Sequence, residues 1–224
     1  MIAELGRGLV VSCQAEPGSP LDSPGTLAAL AASTVAGGAV GIRASGFDNI
    51  AAIRQAVTVP VIGLVKRRGH DVYITPTIED ALRIAEAGAD LVAVDATLRP
   101  RPDGTDMGTF IRELAAVLPV PIVADIDEVA AARVAVDAGA RFVATTMAGY
   151  SGTTRPTEPD VALVSAVRSA VDRPVIAEGR YRSASQITQA FEAGAYAVVI
   201  GEAITDPQAI TRRFISETLE KEPI

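Results

Sequence analysis

Short Val/Ile-rich runs alternate along this chain with alanine-rich segments of helical length. The runs are Leu9–Gln14, Ala39–Arg43, Val61–Lys66, Leu91–Thr97, Ile122–Asp125, Phe142–Thr146, Val175–Glu178 and Ala197–Gly201. Apolar runs this short, with little polar alternation, predict strands buried on both faces by crossover helices. The helices are expected over Thr26–Val35, Asp48–Val57, Ile78–Ala87, Met107–Leu118, Asp127–Ala138, Glu158–Val171, Ser183–Ala193 and Pro207–Leu219. Thr77 is placed to cap the third of these, with Glu79 and Asp80 in its first turn.

Two punctuation marks separate the elements. A small-residue turn precedes every second run, and its glycines Gly37, Gly88, Gly139 and Gly194 are spaced 51, 51 and 55 residues apart. A proline, at Pro60, Pro121 or Pro174, precedes the runs in between. Glycine supplies a left-handed helix C-cap and proline stops a helix. The period is two strand–helix units, a quarter of an eight-fold barrel. The pattern predicts an α/β fold, a single TIM (β/α)8 barrel over residues 1–224. An open doubly wound sheet usually carries a Gly-x-Gly-x-x-Gly turn after its first strand, and this chain has none.

Loop lengths give the barrel a direction. The stretches after strands are long and rich in Gly, Pro or Arg: Gln14 to Gly25, Arg67 to Thr77, Thr97 to Gly108 and Ala148 to Pro159, the last containing Gly149-Tyr150-Ser151-Gly152. The stretches before strands are short. Long loops at the C-terminal strand ends mark the functional face of this fold.

Composition narrows the partners. A formal net charge of −7 argues against nucleic acid or an acidic membrane surface, while a single phosphate needs only local donors. Cys13 is the one cysteine, so no intrachain disulfide forms, and with His70 the one histidine no zinc-type cluster is expected. No signal-peptide pattern opens the chain and no apolar run reaches the ~18 residues of a membrane span, so a soluble cytoplasmic protein is expected. The paired charges Arg67-Arg68 and Arg99 to Arg101 are expected to be ordinary solvated side chains. Cys13 is expected to be a small buried residue, and His70 to be exposed on a loop.

The chemistry is expected where the strands end. Lys66, one of only two lysines, closes the third run; the other, Lys221, lies in the polar C-terminal tail. The remaining ends carry Ser12-Cys13-Gln14, Arg43, Asp95 and Thr97, Asp125, Thr145-Thr146 and Glu178. In a barrel these converge on one mouth. Asp95 and Asp125 fit helix caps or arginine partners as well as site residues. A lysine acts as a base only when neutral, so its pKa must fall from ~10.4 through desolvation or a nearby cation such as Arg43. A carboxylic acid on the opposite side could then return a proton to the same carbon, which describes an epimerase. The same lysine could form a Schiff base, as in an aldolase, and composition does not separate the two. Glu178-Gly179-Arg180 and Ile200-Gly201-Glu202 each put glycine directly after a strand, with a helix opening near Asp206-Pro207. That is the arrangement of a phosphate cradle.

The chain resembles bacterial N-acylglucosamine-6-phosphate 2-epimerases almost end to end. The residues that carry the resemblance are Val11-Ser12-Cys13-Gln14-Ala15, Gly41-Ile42-Arg43-Ala44, Gly63-Leu64-Val65-Lys66-Arg67, Val72-Tyr73-Ile74-Thr75-Pro76-Thr77, Asp95-Ala96-Thr97 with Arg99-Pro100-Arg101-Pro102, Ala124-Asp125-Ile126, Gly149-Tyr150, Ala177-Glu178-Gly179-Arg180 and Ala203-Ile204-Thr205. The resemblance implies a barrel without metal or organic cofactor, acting on a phosphorylated amino sugar in sialic-acid or amino-sugar catabolism. It implies Lys66 and Glu178 as the acid–base residues at C2, and Gln14, Arg43 and Asp125 around the sugar. It implies backbone N–H groups at Gly179 and Gly201, beside Arg180, on the phosphate. A homodimer is implied as well, which the residues alone do not reveal. The chain departs from the family pattern at Glu202, where a small residue is usual, and at Asp206, where an arginine is usual. Both put negative charge beside the expected phosphate, so weakened or rebuilt phosphate recognition is expected, with Arg180, Arg182 or Arg212 as candidate compensating cations. A non-catalytic sugar-phosphate-binding barrel is the remaining alternative.

Overall fold

The structure, a computed structural model, describes residues 5–101, 103–150 and 156–218. Pro102, Ser151-Gly152, Leu219 and Lys221 lie outside these residues.

Eight parallel strands close into a barrel in chain order: β1 (Gly8–Cys13), β2 (Gly41–Ser45), β3 (Val61–Leu64), β4 (Leu91–Asp95), β5 (Ile122–Asp125), β6 (Phe142–Ala144), β7 (Val175–Glu178) and β8 (Ala197–Ile200). Closure runs from β8 back to β1, with Gly8 opposite Ala197 and Val11 opposite Ile200. The crossover helices are α1 (Pro24–Ala36), α2 (Phe47–Ala56), α3 (Ile78–Glu86), α4 (Met107–Val117), α5 (Val129–Asp137), α6 (Val161–Ala170) and α7 (Ala184–Glu192). After β8 come a short helix, α8 (Glu202–Thr205), and α9 (Pro207–Thr218). The predicted barrel is therefore the fold, and α8 is an element that the sequence pattern does not mark.

Strand parity sorts the side chains. Val11, Ile42, Ala44, Val61, Val92, Val94, Ile122, Ala124, Val175, Ala177 and Val198 face outward and join the core between sheet and helices. Val10, Ile62, Leu64, Leu91, Ala93, Val123, Phe142, Ile176, Ala197 and Val199 face inward and fill the barrel. Burial on both faces is why the strands read as unbroken apolar runs rather than alternating ones. Cys13 belongs to the outward set and is fully buried. It points away from the mouth, and burial pushes its thiol up to about 11, so it is the inert small residue expected.

The punctuation residues work as expected, with one shift. Gly88, Gly139 and Gly194 all have positive φ, but in the first turn Gly38 (φ 102°), not Gly37, takes the left-handed position, one residue later than the spacing predicts. The prolines cannot donate, yet their carbonyls extend the ladders: Pro60, Pro121 and Pro174 accept from Ile42, Val92 and Val143 at 2.9, 3.0 and 3.1 Å. Thr77 caps α3, accepting from the Asp80 N–H at 3.1 Å.

Gly63 sits where α3 closes on the sheet. A Cβ there would lie 2.5 Å from Ile84 Cγ2 and 2.7 Å from Ala89 Cβ. Close packing of helix on strand requires the bare Cα, and overpacking costs about 1–3 kcal/mol. Gly63→Ala is expected to lower the unfolding free energy by about that amount, read from the midpoint of urea denaturation; an unchanged midpoint would show that α3 can withdraw freely.

Candidate active site

The same parity that fills the barrel aims its last inward layer. Ser12 follows Val10, Asp95 follows Ala93, Asp125 follows Val123 and Glu178 follows Ile176, each two residues on and hence on the inner face. Arg43 lies between the outward-facing Ile42 and Ala44. Polar residues thus replace apolar ones only at the top of the barrel.

Arg43 is the centre of this layer. It is 1% exposed, among the largest fully buried side chains of the chain. Its guanidinium makes a two-pronged pair with Asp125, Nη1 to Oδ1 at 3.2 Å and Nη2 to Oδ2 at 2.6 Å. Nη1 also lies 3.1 Å from Glu178 Oε2. Burial works against the charge, but the two carboxylates more than offset it, and the guanidinium is held above its ordinary pKa. Glu178 is pushed up, by burial first and by the charge of Asp125, against the pull of Arg43, Thr146 and Lys66. Two neighbouring threonines hold it. Thr145 Oγ1 accepts from the Glu178 N–H at 3.1 Å and donates to its carbonyl at 3.0 Å, and Thr146 Oγ1 stands 3.0 Å from Oε2.

Lys66 is placed differently from the expectation. β3 ends at Leu64, and Lys66 stands two residues beyond it. Its backbone stays extended because residues 65–67 pair antiparallel with 73–75. The Thr75 N–H donates to Val65 O and the Arg67 N–H to Tyr73 O, each at 2.8 Å, and Lys66 bridges Ile74. Thr75, fully buried, adopts φ 44° to make this fold-back and accepts from the Val65 N–H at 3.2 Å. Parity therefore continues past the strand: Ile62, Leu64 and Lys66 share the inner side. Among the described residues the ammonium makes no ion pair or hydrogen bond. Lys66 is solvent-exposed at the cavity wall, yet the protein packed around it displaces enough water to push its pKa down, opposed by Glu16 and Glu178 and aided by Arg43 and Arg68.

A cavity of about 890 Å³ opens over this layer. Gln14, Arg43, Lys66, Glu178, Gly179, Arg180 and Gly201 all line it. Asp125 does not: it is fully buried beneath the floor, where it holds Arg43. Both its carboxylate oxygens are engaged by Arg43. Gln14 donates from Nε2 to Ser12 Oγ at 2.8 Å, and its Oε1 is left without a partner among the described residues. Tyr73, Tyr181 and Glu16 also line the cavity. Sequence pattern misses them because they come from loops, where no period marks an inward position. His70 is exposed at the rim, as expected.

Of the charges expected to be solvated, Arg67 and Arg68 are exposed but paired, Arg99 is half-buried, and Arg101 is buried. Arg67 makes a two-pronged pair with Asp80, at 3.2 and 2.6 Å, and Arg68 pairs with Glu16 across the mouth. Arg99 pairs with the buried Asp95 at 2.9 Å. Arg101 is 3% exposed, donates to the carbonyls of Asp95 and Pro76, and lies 3.4 Å above the Phe110 ring. Arg99 and Arg101 tie their loop to the barrel.

The end of the cavity after β7 and β8 is built from Gly179, Arg180, Gly201, Glu202 and Asp206. Gly179 and Arg180 both adopt positive φ, 116° and 64°, a strained pair for a turn. The Arg180 side chain holds it by donating to the carbonyls of Glu158 and Ala148, both at 2.7 Å. Asp206 accepts from the Ala209 N–H at 2.9 Å and so caps α9. Arg182 pairs with Glu158, and Arg212 lies on α9 beside Gln208, Thr211 and Ile215. Among the described residues no arginine pairs with Glu202 or Asp206. No group of three or more His, Cys, Asp or Glu able to hold a metal ion occurs among the described residues, and no helix among them is long and apolar enough to cross a membrane.

Fold and site together define a (β/α)8 barrel whose mouth carries an amine and a carboxyl facing each other over a buried guanidinium. Comparison with known proteins gives the class a family. A family model described as "Putative N-acetylmannosamine-6-phosphate epimerase" matches residues 27–220. A relative from Caldanaerobacter subterraneus subsp. tengcongensis, named "Putative N-acetylmannosamine-6-phosphate 2-epimerase", is 43% identical over 225 residues, 99% of this chain and 95% of its own. A relative of the same name from Cutibacterium acnes is 44% identical over 217 residues, 96% of this chain and 95% of its own. The solved N-acetylmannosamine-6-phosphate 2-epimerase from Clostridium perfringens superposes with a TM-score of 0.91 at 32% identity, covering 97% of this chain and 96% of that one. The thiamine phosphate pyrophosphorylase from Pyrococcus furiosus, at a TM-score of 0.62 and 16% identity, shares the fold alone. The chain belongs to the N-acetylmannosamine-6-phosphate epimerase family.

Removing one partner of a buried ion pair strands the other. Asp125→Ala is expected to cost about 3 to 5 kcal/mol of stability, with Glu178 as the one carboxylate left beside Arg43. Chemical denaturation checks this; a loss below 1 kcal/mol would mean that water enters and solvates Arg43.

Proposed function

We propose that this protein interconverts N-acetylmannosamine 6-phosphate and N-acetylglucosamine 6-phosphate by deprotonation and reprotonation at C2. The observation that carries this is topological. In a closed eight-strand barrel β3 and β7 stand opposite one another, and Lys66 follows the first while Glu178 ends the second. A carbon between them meets an amine on one face and a carboxyl on the other. Neutral Lys66, its pKa lowered by the protein packed around it, takes the C2 proton, and Glu178 in its acid form returns one from the far side. The reverse direction exchanges the roles. C2 is acidic only next to the C1 carbonyl of the open-chain sugar, and Arg43 on the cavity floor offers fixed positive charge to the enolate oxygen. Gln14 Oε1 provides an acceptor for a sugar hydroxyl. The acidic balance and single cysteine fit a cytoplasmic role in amino-sugar or sialic-acid catabolism.

Gly179, Arg180, Gly201 and the α8 turn suit the 6-phosphate in shape. In charge they do so less well, because Glu202 and Asp206 face the same space. Like charge at that range weakens binding, so phosphate recognition here rests on Arg180 and backbone N–H groups. A homodimer is also proposed: α9 buries none of its residues, and Ile204, Phe214 and Ile215 are 39%, 57% and 46% exposed. Sedimentation equilibrium should give twice the 23.1 kDa chain mass; a monomer at micromolar concentration overturns the dimer.

The activity is read by proton NMR in D2O. Deuterium should appear at C2 of the product, and Lys66→Ala should slow exchange by about 10²–10⁴-fold. The phosphorylated sugar should be turned over with a weak KM and only a modest advantage over free N-acetylmannosamine. No deuterium at C2, or borohydride trapping of substrate on Lys66, would eliminate the acid–base mechanism. A strong preference for the phosphorylated sugar at ordinary affinity would show that Glu202 and Asp206 do no harm.

A further inference from the structure

Thr146 occupies a position that proton counting makes informative. It belongs to a single 3-10 turn, Thr145–Met147, that follows β6. Its Oγ1 lies 2.8 Å from Asp125 Oδ1 and 3.0 Å from Glu178 Oε2. A hydroxyl has one proton to give, and an ionised carboxylate can only accept. If both carboxyls were ionised, one of the two contacts would set lone pair against lone pair. A second proton, carried by one of the carboxyls, satisfies both contacts.

The surrounding donors decide which. Asp125 receives both terminal nitrogens of Arg43, is fully buried, and makes the shorter contact to Thr146. It is the carboxylate. Glu178 has only the shared Nη1, at 3.1 Å, and its side chain is 14% exposed, toward the cavity. The charged groups facing Glu178 are Arg43 from β2, Asp125 from β5 and Lys66 from beyond β3. Burial first, and then Asp125, favour its neutral form, against the pull of Arg43, Thr146 and Lys66.

We propose that Thr146 is the positioning residue for Glu178 in its acid form, donating its own proton to Asp125 and accepting that of Glu178. When Glu178 gives its proton to C2, the Thr146 hydroxyl turns and donates to the new carboxylate. When Glu178 regains a proton, the hydroxyl turns back to Asp125. No proton leaves Thr146 at either stage, and the proton that moves passes only between Glu178 and carbon. One rotating hydroxyl thus serves both protonation states of the acid without water entering. Thr145, pinned to the Glu178 backbone, fixes where that exchange takes place. This role rests on the epimerase reading for its purpose, but the protonation state it describes does not.

Infrared difference spectroscopy of the full-length protein reads that state directly. At neutral pH the wild type should show a protonated-carboxyl C=O band that disappears in Glu178→Gln. Thr146→Val, nearly the same shape without the hydroxyl, should shift that band to higher frequency, and Thr146→Ser should restore it. In the C2-exchange assay Thr146→Val should lower kcat by about tenfold or more, the loss of one hydrogen bond to a charged group, with KM within about threefold, and Thr146→Ser should recover most of the rate. A wild type without a Glu178-dependent acid band overturns the proposal. So does a Thr146→Val protein whose band and rate match the wild type. If the wild type exchanges no C2 proton at all, the epimerase reading fails, and the infrared bands still decide the role of Thr146.

Discussion

A guanidinium removed from water is costly, and this barrel buries one completely at the base of its mouth. Arg43 is tolerable there only because Asp125 meets it with both oxygens and Glu178 adds a third contact. The rest of the site follows from that constraint. Asp125 is committed beneath the floor. Glu178 shares its oxygen between Arg43 and Thr146, which sets its orientation. The positive charge of Arg43 lies under the cavity and adds to the depression of the Lys66 pKa. One buried cation thus fixes the geometry of Glu178, disfavours the charged form of Lys66, and lies beneath the place where the proposed reaction would develop negative charge.

The barrel converts strand parity into this arrangement. Each strand delivers apolar residues inward until its last position, so the polar layer forms only where the strands end. β3 and β7 lie half a turn apart, which separates amine from carboxyl by the width of the mouth. The loops then bring their own restraints. The pairing of residues 65–67 with 73–75 extends β3 beyond its end, and Arg67, Arg99 and Arg101 fasten the long loops to the barrel.

Much of this was legible from residue order. The eight apolar runs, the Gly and Pro punctuation and the long loops after strands identify the barrel and its functional face. Glu178 is legible for the same reason, since it ends β7, whereas Arg43 sits within β2 and Lys66 stands two residues beyond β3. What was not legible depends on partners distant in the chain. Asp125 reads like a site residue, but its neighbour across the barrel, 82 residues away, claims it. Arg101 reads like solvated charge, yet two loop carbonyls and the Phe110 ring bury it. Lys66 reads as the end of a strand, but it is held by a hairpin whose return segment, Tyr73 to Thr75, is rich in strand formers yet too short to be read as one. The α8 turn escapes notice because four residues carry no period.

Lys66 is the proposed base, and its charge can be read directly. Only two lysines are present, Lys66 and Lys221. Protein labelled with carbon-13 at the lysine ε position therefore gives two resonances, assigned by the one lost in Lys66→Arg. Titration of the free enzyme should show the Lys66 signal changing well below the ~10.4 of an ordinary lysine, with the depression reduced in Arg43→Met. A Lys66 resonance that titrates at or above the ordinary value would leave the amine charged throughout the working range and contradict its role as the base.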